Sequence, residues 1–146
     1  MTKNSAFHKA TPLTLAVIAC TALAGCATTT NGASDEAQLL QVARTWQDRL
    51  ADERFRRALR LVSSEFSSRA WPDKDALSDY FDLARERGFF LNSAVDEREQ
   101  AVTIENGQAR IYPVGIRGNL GTAVFELSLR KEKSNWKITS LVMELY

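Results

Sequence analysis

The chain has 146 residues, 45% of them hydrophobic, and its 19 lysines and arginines stand against 18 aspartates and glutamates for a formal charge of +1. Such a balance excludes the basic excess of a nucleic-acid-binding domain. Two cysteines and one histidine leave little material for a disulfide framework or a metal cluster.

Lys3, His8 and Lys9 precede an uncharged apolar run from Leu13 to Ala24, and the run ends in Leu23-Ala24-Gly25-Cys26. A basic start, an apolar stretch and small residues before a cut are the three parts of a secretory signal. The run is too short to be a transmembrane helix, which needs about 20 apolar residues. Leu-Ala-Gly-Cys resembles the lipobox of bacterial lipoproteins. The resemblance implies that residues 1–25 are removed, that the Cys26 thiol carries a diacylglyceryl group by thioether, and that the lipid bilayer is the mature chain's first partner. Stable anchoring takes more than one acyl chain, which such an amino terminus supplies. Ala27, where inner-membrane retention is associated with Asp, implies the outer membrane of a bacterial cell envelope, with the domain facing the periplasm.

Removal of residues 1–25 takes away Lys3, Lys9, His8 and Cys20 but no acid, so the formal charge falls from +1 by two lysines to −1. With Cys26 lipidated, no intrachain disulfide is available. Without histidine or a free thiol, serine triads, cysteine nucleophiles and histidine-ligated zinc are excluded, and no cofactor and no metal site is expected. Residues 26–34 read as the lipidated cysteine and a short polar tether, Ala27 to Ser34 spanning at most about 29 Å when extended. Residues 35–146 are long enough for one domain that buries about two thirds of its unfolded surface.

Ser34 reads as an N-cap, with Asp35 and Glu36 at the positive end of the helix dipole. Leu39, Val42, Ala43, Trp46 and Leu50 then recur at helical spacing. A second helix is expected from Glu53 to about Ser63, with Phe55, Leu59 and Val62 on one face and Arg54, Arg56, Arg57 and Arg60 on the other. Trp71-Pro72-Asp73 caps a third helix whose buried stripe is Leu77, Tyr80, Phe81 and Ala84 and whose stop is Gly88. Beyond Gly88 the period changes to two. Asn106-Gly107 predicts a type I′ hairpin that sets Glu105 against Gln108, Ile104 against Ala109, Thr103 against Arg110 and Val102 against Ile111. Gly118-Asn119 turns the chain into a strand from Thr122 to Lys131, where Phe125, Leu127 and Leu129 alternate with Glu126, Ser128 and Arg130. After a turn at Lys131 to Asn135, the final strand shifts its apolar face from Trp136 and Ile138 to Leu141, Met143 and Leu145, which predicts a bulge near Ser140 or burial on both faces. The fold class is therefore α+β, with N-terminal helices packed in a curled antiparallel sheet.

In this order of elements, residues 35–146 resemble the nuclear transport factor 2-like superfamily, the cone-shaped fold shared with ketosteroid isomerases. The resemblance rests also on Arg49-Leu50-Ala51 closing an aromatic first helix, on Leu61-Val62-Ser63-Ser64-Glu65-Phe66, and on Phe125 to Leu129 with Trp136-Lys137-Ile138. It implies a sheet wrapped around helices and a pocket at the wide end of the cone. In that family the pocket serves small apolar ligands, partners or dimerisation, and the fold does not choose among them.

Tyr80, Tyr112 and Glu126 are the polar groups expected to approach the cone mouth, either as pocket lining or as core-edge tyrosines and a solvent-facing carboxylate. No residue is assigned a catalytic role. The arginine run reads as a solvated face balanced by Asp48, Asp52 and Glu53, with anionic headgroups as the competing ligand. Gly115, Gly118 and Gly121 lack the Gly-Lys-Ser/Thr of a phosphate loop and read as turn residues. The leading expectation is a lipid-anchored, extracytoplasmic domain that binds a small apolar ligand or an envelope protein without catalysis. The alternatives are an isomerase or hydratase of the ketosteroid isomerase type, and a structural lipoprotein that forms a homodimer through its sheet.

Overall fold

A computed structural model describes residues 30–146; the segment expected to be a signal, Cys26 and the first part of the expected tether lie outside the described residues. The chain forms α1 (Thr30–Ala51), α2 (Phe55–Ala58) continued by a 3-10 turn at Leu59–Leu61, α3 (Lys74–Glu86), and then β1 (Ala94–Asp96), β2 (Ala101–Glu105), β3 (Gln108–Gly118), β4 (Gly121–Glu132) and β5 (Asn135–Leu145). All strand pairs are antiparallel. The order is β1-β3-β4-β5, and β2 takes the part of the β3 edge that β1 leaves open. No described helix is long and apolar enough to cross a membrane.

Helix α1 starts before Ser34, so Ser34 is not its N-cap; the Ser34 hydroxyl instead accepts from Gln38 Nε2 at 3.3 Å. Asp35 lies beyond the first turn of α1, and its carboxylate meets the β4–β5 hairpin. Lys131 Nζ at 2.7 Å and Trp136 Nε1 at 3.4 Å both donate to its carboxylate and hold it below its ordinary pKa, the lysine contributing most. The C-terminus of α1 closes in a Schellman arrangement, in which Glu53 N–H donates to Leu50 O and Arg54 N–H to Arg49 O. Glu53 takes the left-handed position with φ 55°, where glycine is usual.

The second helix is shorter than its periodicity predicts. Val62 leaves helical geometry to lie parallel to Ile138, and Ser63 N–H donates to Ile138 O at 2.8 Å, so pairing with β5 wins over another helical turn. Helix α3 follows the sequence closely: the Asp73 carboxylate accepts from Ala76 N–H at 2.8 Å, and Gly88 ends the helix at φ 78°.

The Asn106-Gly107 hairpin has the expected register at each of its four pairs, and both turn residues have positive φ, 51° and 75°. Gly107→Val is expected to destabilise the domain by about 1–2 kcal/mol through backbone strain alone, since nothing lies within 4 Å of the added Cβ. An unchanged urea midpoint would reject this account of the turn.

Two irregularities curl the sheet. The β4–β5 register slips between Ser128 and Leu129, leaving Thr139 as the extra residue beside the expected Ser140 position. The second, in β3, is not foreseen in the sequence: Tyr112 and Pro113 stand opposite Glu126 alone, where the proline supplies no ladder donor. The concave face carries Ile111, Val114, Ile116, Phe125, Leu127 and Leu129, and against it pack Leu39, Ala43, Trp46 and Leu50 of α1 and Leu77 and Phe81 of α3.

Candidate functional site

The space between helices and sheet is occupied by aromatic rings. Trp46 meets Phe125 edge to face at 4.9 Å and 90°, and Phe81 at 6.3 Å. Phe55 stacks on Phe81 at 5.6 Å and touches Phe90 at 4.9 Å, which extends the cluster from α1 through α2 and α3 to the loop before β1. Such pairs add about 0.5–1.5 kcal/mol each beyond their burial.

Only Gln47 and Ser63 are buried polar residues among those described. Both are satisfied. Gln47 Nε2 donates to Gly115 O and its Oε1 accepts from Gln100 Nε2, each at 2.9 Å. Ser63 Oγ donates to Glu132 Oε1 at 2.5 Å and accepts from Glu65 N–H at 3.0 Å, and that hydroxyl is the main reason the Glu132 carboxyl is held below its usual range. The Trp46 Nε1–H is buried without a hydrogen-bond partner. Among the described residues no aspartate, glutamate, lysine or arginine is buried.

The sequence-derived candidates do not converge. Tyr80 is half-buried on α3, its ring 4.9 Å from Trp71 and its hydroxyl donating to Met143 Sδ at 3.4 Å. Burial pushes its phenol above the ordinary value, with a smaller opposing effect from Arg87. Tyr112 and Glu126 alternate with the buried residues of their strands, so they lie on the outer face of the sheet. Tyr112 is exposed, and Glu126 pairs with Arg110 at 3.2 Å.

What Tyr80 does line is an apolar hollow of about 200 Å³, shared with Leu83, Ala84, Phe89, Leu120 and Leu145 and with Arg87 as its charged member. Three of these leucines are exposed, Leu83 by 42%, Leu120 by 63% and Leu145 by 61%, an unusual concentration at one end of the sheet. Sequence reasoning missed the hollow because its walls come from α3, the β3–β4 turn and the last residues of β5. The one local sign is Leu120, a large apolar residue inside the turn from Gly118 to Gly121.

A second concavity, of about 600 Å³, lies between the entry to α2 and α3 and collects Arg54, Arg56, Arg57 and Arg85. Among the described residues no group of three or more histidine, cysteine, aspartate or glutamate side chains converges as a metal site would require.

No protein-family model matches the chain, and no curated protein matches it significantly. Solved structures do. A protein of unknown function with a cystatin-like fold from Nostoc punctiforme superposes with a TM-score of 0.66 at 14% identity, over 78% of this chain and 92% of its own. An NTF2-like protein of unknown function from Pseudomonas putida gives 0.64 at 10% identity, over 77% and 87%. A putative scytalone dehydratase from Novosphingobium aromaticivorans gives 0.64 at 8% identity, over 79% and 86%. The domain has the nuclear transport factor 2-like cone fold, with helices packed against a curled antiparallel sheet of five strands. At these identities the likeness is one of fold.

Proposed function

We propose that the mature protein is a lipid-anchored binding module of the bacterial cell envelope, held to the outer membrane through Cys26 and facing the periplasm. In this reading the apolar hollow around Tyr80 takes a small apolar ligand or an apolar side chain of an envelope protein, without catalysis. The observation that carries it is the filled interior: where an isomerase or dehydratase of this fold would need an open cavity with a poised acid or base, Trp46, Phe55, Phe81 and Phe125 occupy the space. Tyr80 itself, raised by burial, stays protonated near neutral pH and is a poor general base.

A hollow of about 200 Å³ is below the size of most drug-like ligand sites, which suits one ring, a short acyl segment or a single side chain. The soluble domain, residues 30–146, is expected to enhance the fluorescence of 1-anilinonaphthalene-8-sulfonate, and Leu120→Asp is expected to remove the enhancement while leaving thermal unfolding unchanged, because Leu120 is exposed. Equal binding by the variant would remove the hollow from consideration. The isomerase alternative is tested by screening the same domain against enolisable ketones and hydroxylated steroid-like compounds; turnover lost in Tyr80→Phe would establish it. The anchor has its own signature, a diacylglyceryl-modified Cys26 in the mass spectrum of the membrane fraction, absent from Cys26→Ser.

A further inference from the structure

The groove between α2 and α3 gathers Arg54, Arg56, Arg57 and Arg85 with Ser78 on its wall. We infer that it is a binding site for a phosphate-bearing anion. The inference is independent of the hollow at Tyr80, since no residue is shared between the two.

Three observations distinguish this groove from a solvated arginine face. First, arginines from two separate elements converge: Arg85 of α3 reaches the residues around α2, and its guanidinium sits over the Phe55 ring at 5.6 Å from the centroid. Contact with an aromatic face holds a guanidinium in place before a ligand arrives.

Second, charge is left over. Arg54 pairs with Asp52 at 3.6 Å and Arg85 with Asp82 at 3.0 Å, both weak surface contacts. Arg56 and Arg57 pair with no described carboxylate. With Glu53 and Asp82 on the wall and Asp52 beside Arg54, three carboxylates stand against four arginines, so the groove keeps a net positive charge, centred on Arg56 and Arg57, that an anion can satisfy. Guanidinium forks match phosphate oxygens in pairs.

Third, the backbone carrying the arginines is fixed. Arg49 Nη1 of α1 donates to Arg57 O at 2.7 Å, and Arg54 N–H is tied to Arg49 O. Helix α1 also sets where the groove stands. Its 22 residues separate the groove from the Thr30 end by about 33 Å, so a domain tethered at its amino terminus need not face the supporting bilayer with these arginines.

The phosphate has two sources, a soluble anion or a lipid headgroup, and titration calorimetry on the full chain in dodecyl maltoside micelles separates them. Inorganic pyrophosphate is the probe. Binding is expected, weakening as sodium chloride is raised; Arg56→Gln/Arg57→Gln should weaken it at least about tenfold with no change in the thermal midpoint, and Glu53→Gln should strengthen it by removing a carboxylate from the wall. In micelles that also carry phosphatidylglycerol, unchanged pyrophosphate affinity assigns the site to a soluble phosphate, and loss of affinity through competition assigns it to a headgroup. No heat of binding in plain micelles, or equal affinity of the double variant and the parent, overturns the inference.

Discussion

Gly118→Ala is expected to destabilise the domain by about 3 kcal/mol, the upper part of the usual range for overpacking a tight site. The Cβ would fall inside contact distance of the Phe89 carbonyl oxygen, a backbone atom with no rotamer to change. That carbonyl is also the acceptor of Asn119 N–H at 3.0 Å, so moving it breaks the bond that pins the loop after α3 to the β3–β4 turn. Gly118 has no positive φ to defend; its role is close approach, unlike that of Gly107. Because Phe89 and Leu120 flank this contact and both line the hollow, the variant should lose dye binding at temperatures where it is still folded. Urea unfolding of residues 30–146 measures the first effect. A loss below 1 kcal/mol would mean that the two segments can separate freely.

Trp46→Ala should cost about 3–5 kcal/mol, the range for removing a large buried aromatic residue. Trp46 is fully buried, joins α1 to Phe81 of α3 and Phe125 of β4, and has no hydrogen-bonded Nε1–H whose loss would complicate the reading. The more informative consequence is a cavity. An apolar cavity lined by rings remains dry and accepts a small apolar guest, so added indole should restore part of the lost stability in the variant and none in the parent. Rescue would show that the cone is a pocket closed by its own side chain. Failure of indole to raise the thermal midpoint would mean that the helices collapse into the space.

The three glycines spaced by three residues are not all turn residues as their sequence suggests: Gly115 lies inside β3, paired with Asp96 on one side and Val124 on the other, and only Gly118 and Gly121 flank the β3–β4 turn. Gly115, Gly118 and Gly121 are turn and strand residues with no phosphate-loop role in the sequence, yet each is required by a contact far along the chain. A side chain at Gly115 would come within 2.7 Å of Asp96 Cβ on β1, and one at Gly121 would strike the carbonyl of Tyr146. None of these partners lies close in sequence.

The features legible in the sequence are those fixed within a few residues. Asn106-Gly107 sets the hairpin register through its own positive φ values, Asp73 caps α3 through a side chain three residues from its donor, and the phase change between Ile138 and Leu141 marks the bulge at Thr139. Period and turn chemistry act locally, so α-helices followed by a curled antiparallel sheet could be read before any packing was known. The tertiary structure decided whatever depended on distant partners. Strand β1 has only three residues, too few to show a period, and exists because the upper half of β3 offers it an edge. The second helix ends early because Val62 and Ser63 find Ile138, and the carboxylate of Asp35, expected at the first turn of α1, is engaged by the β4–β5 hairpin instead. Which tyrosine faces a hollow, and whether Arg85 meets Arg54, Arg56 and Arg57, are likewise outcomes of how α3 seats on the rest of the domain. Alternation places a side chain on one of two faces, but only packing determines what stands opposite it.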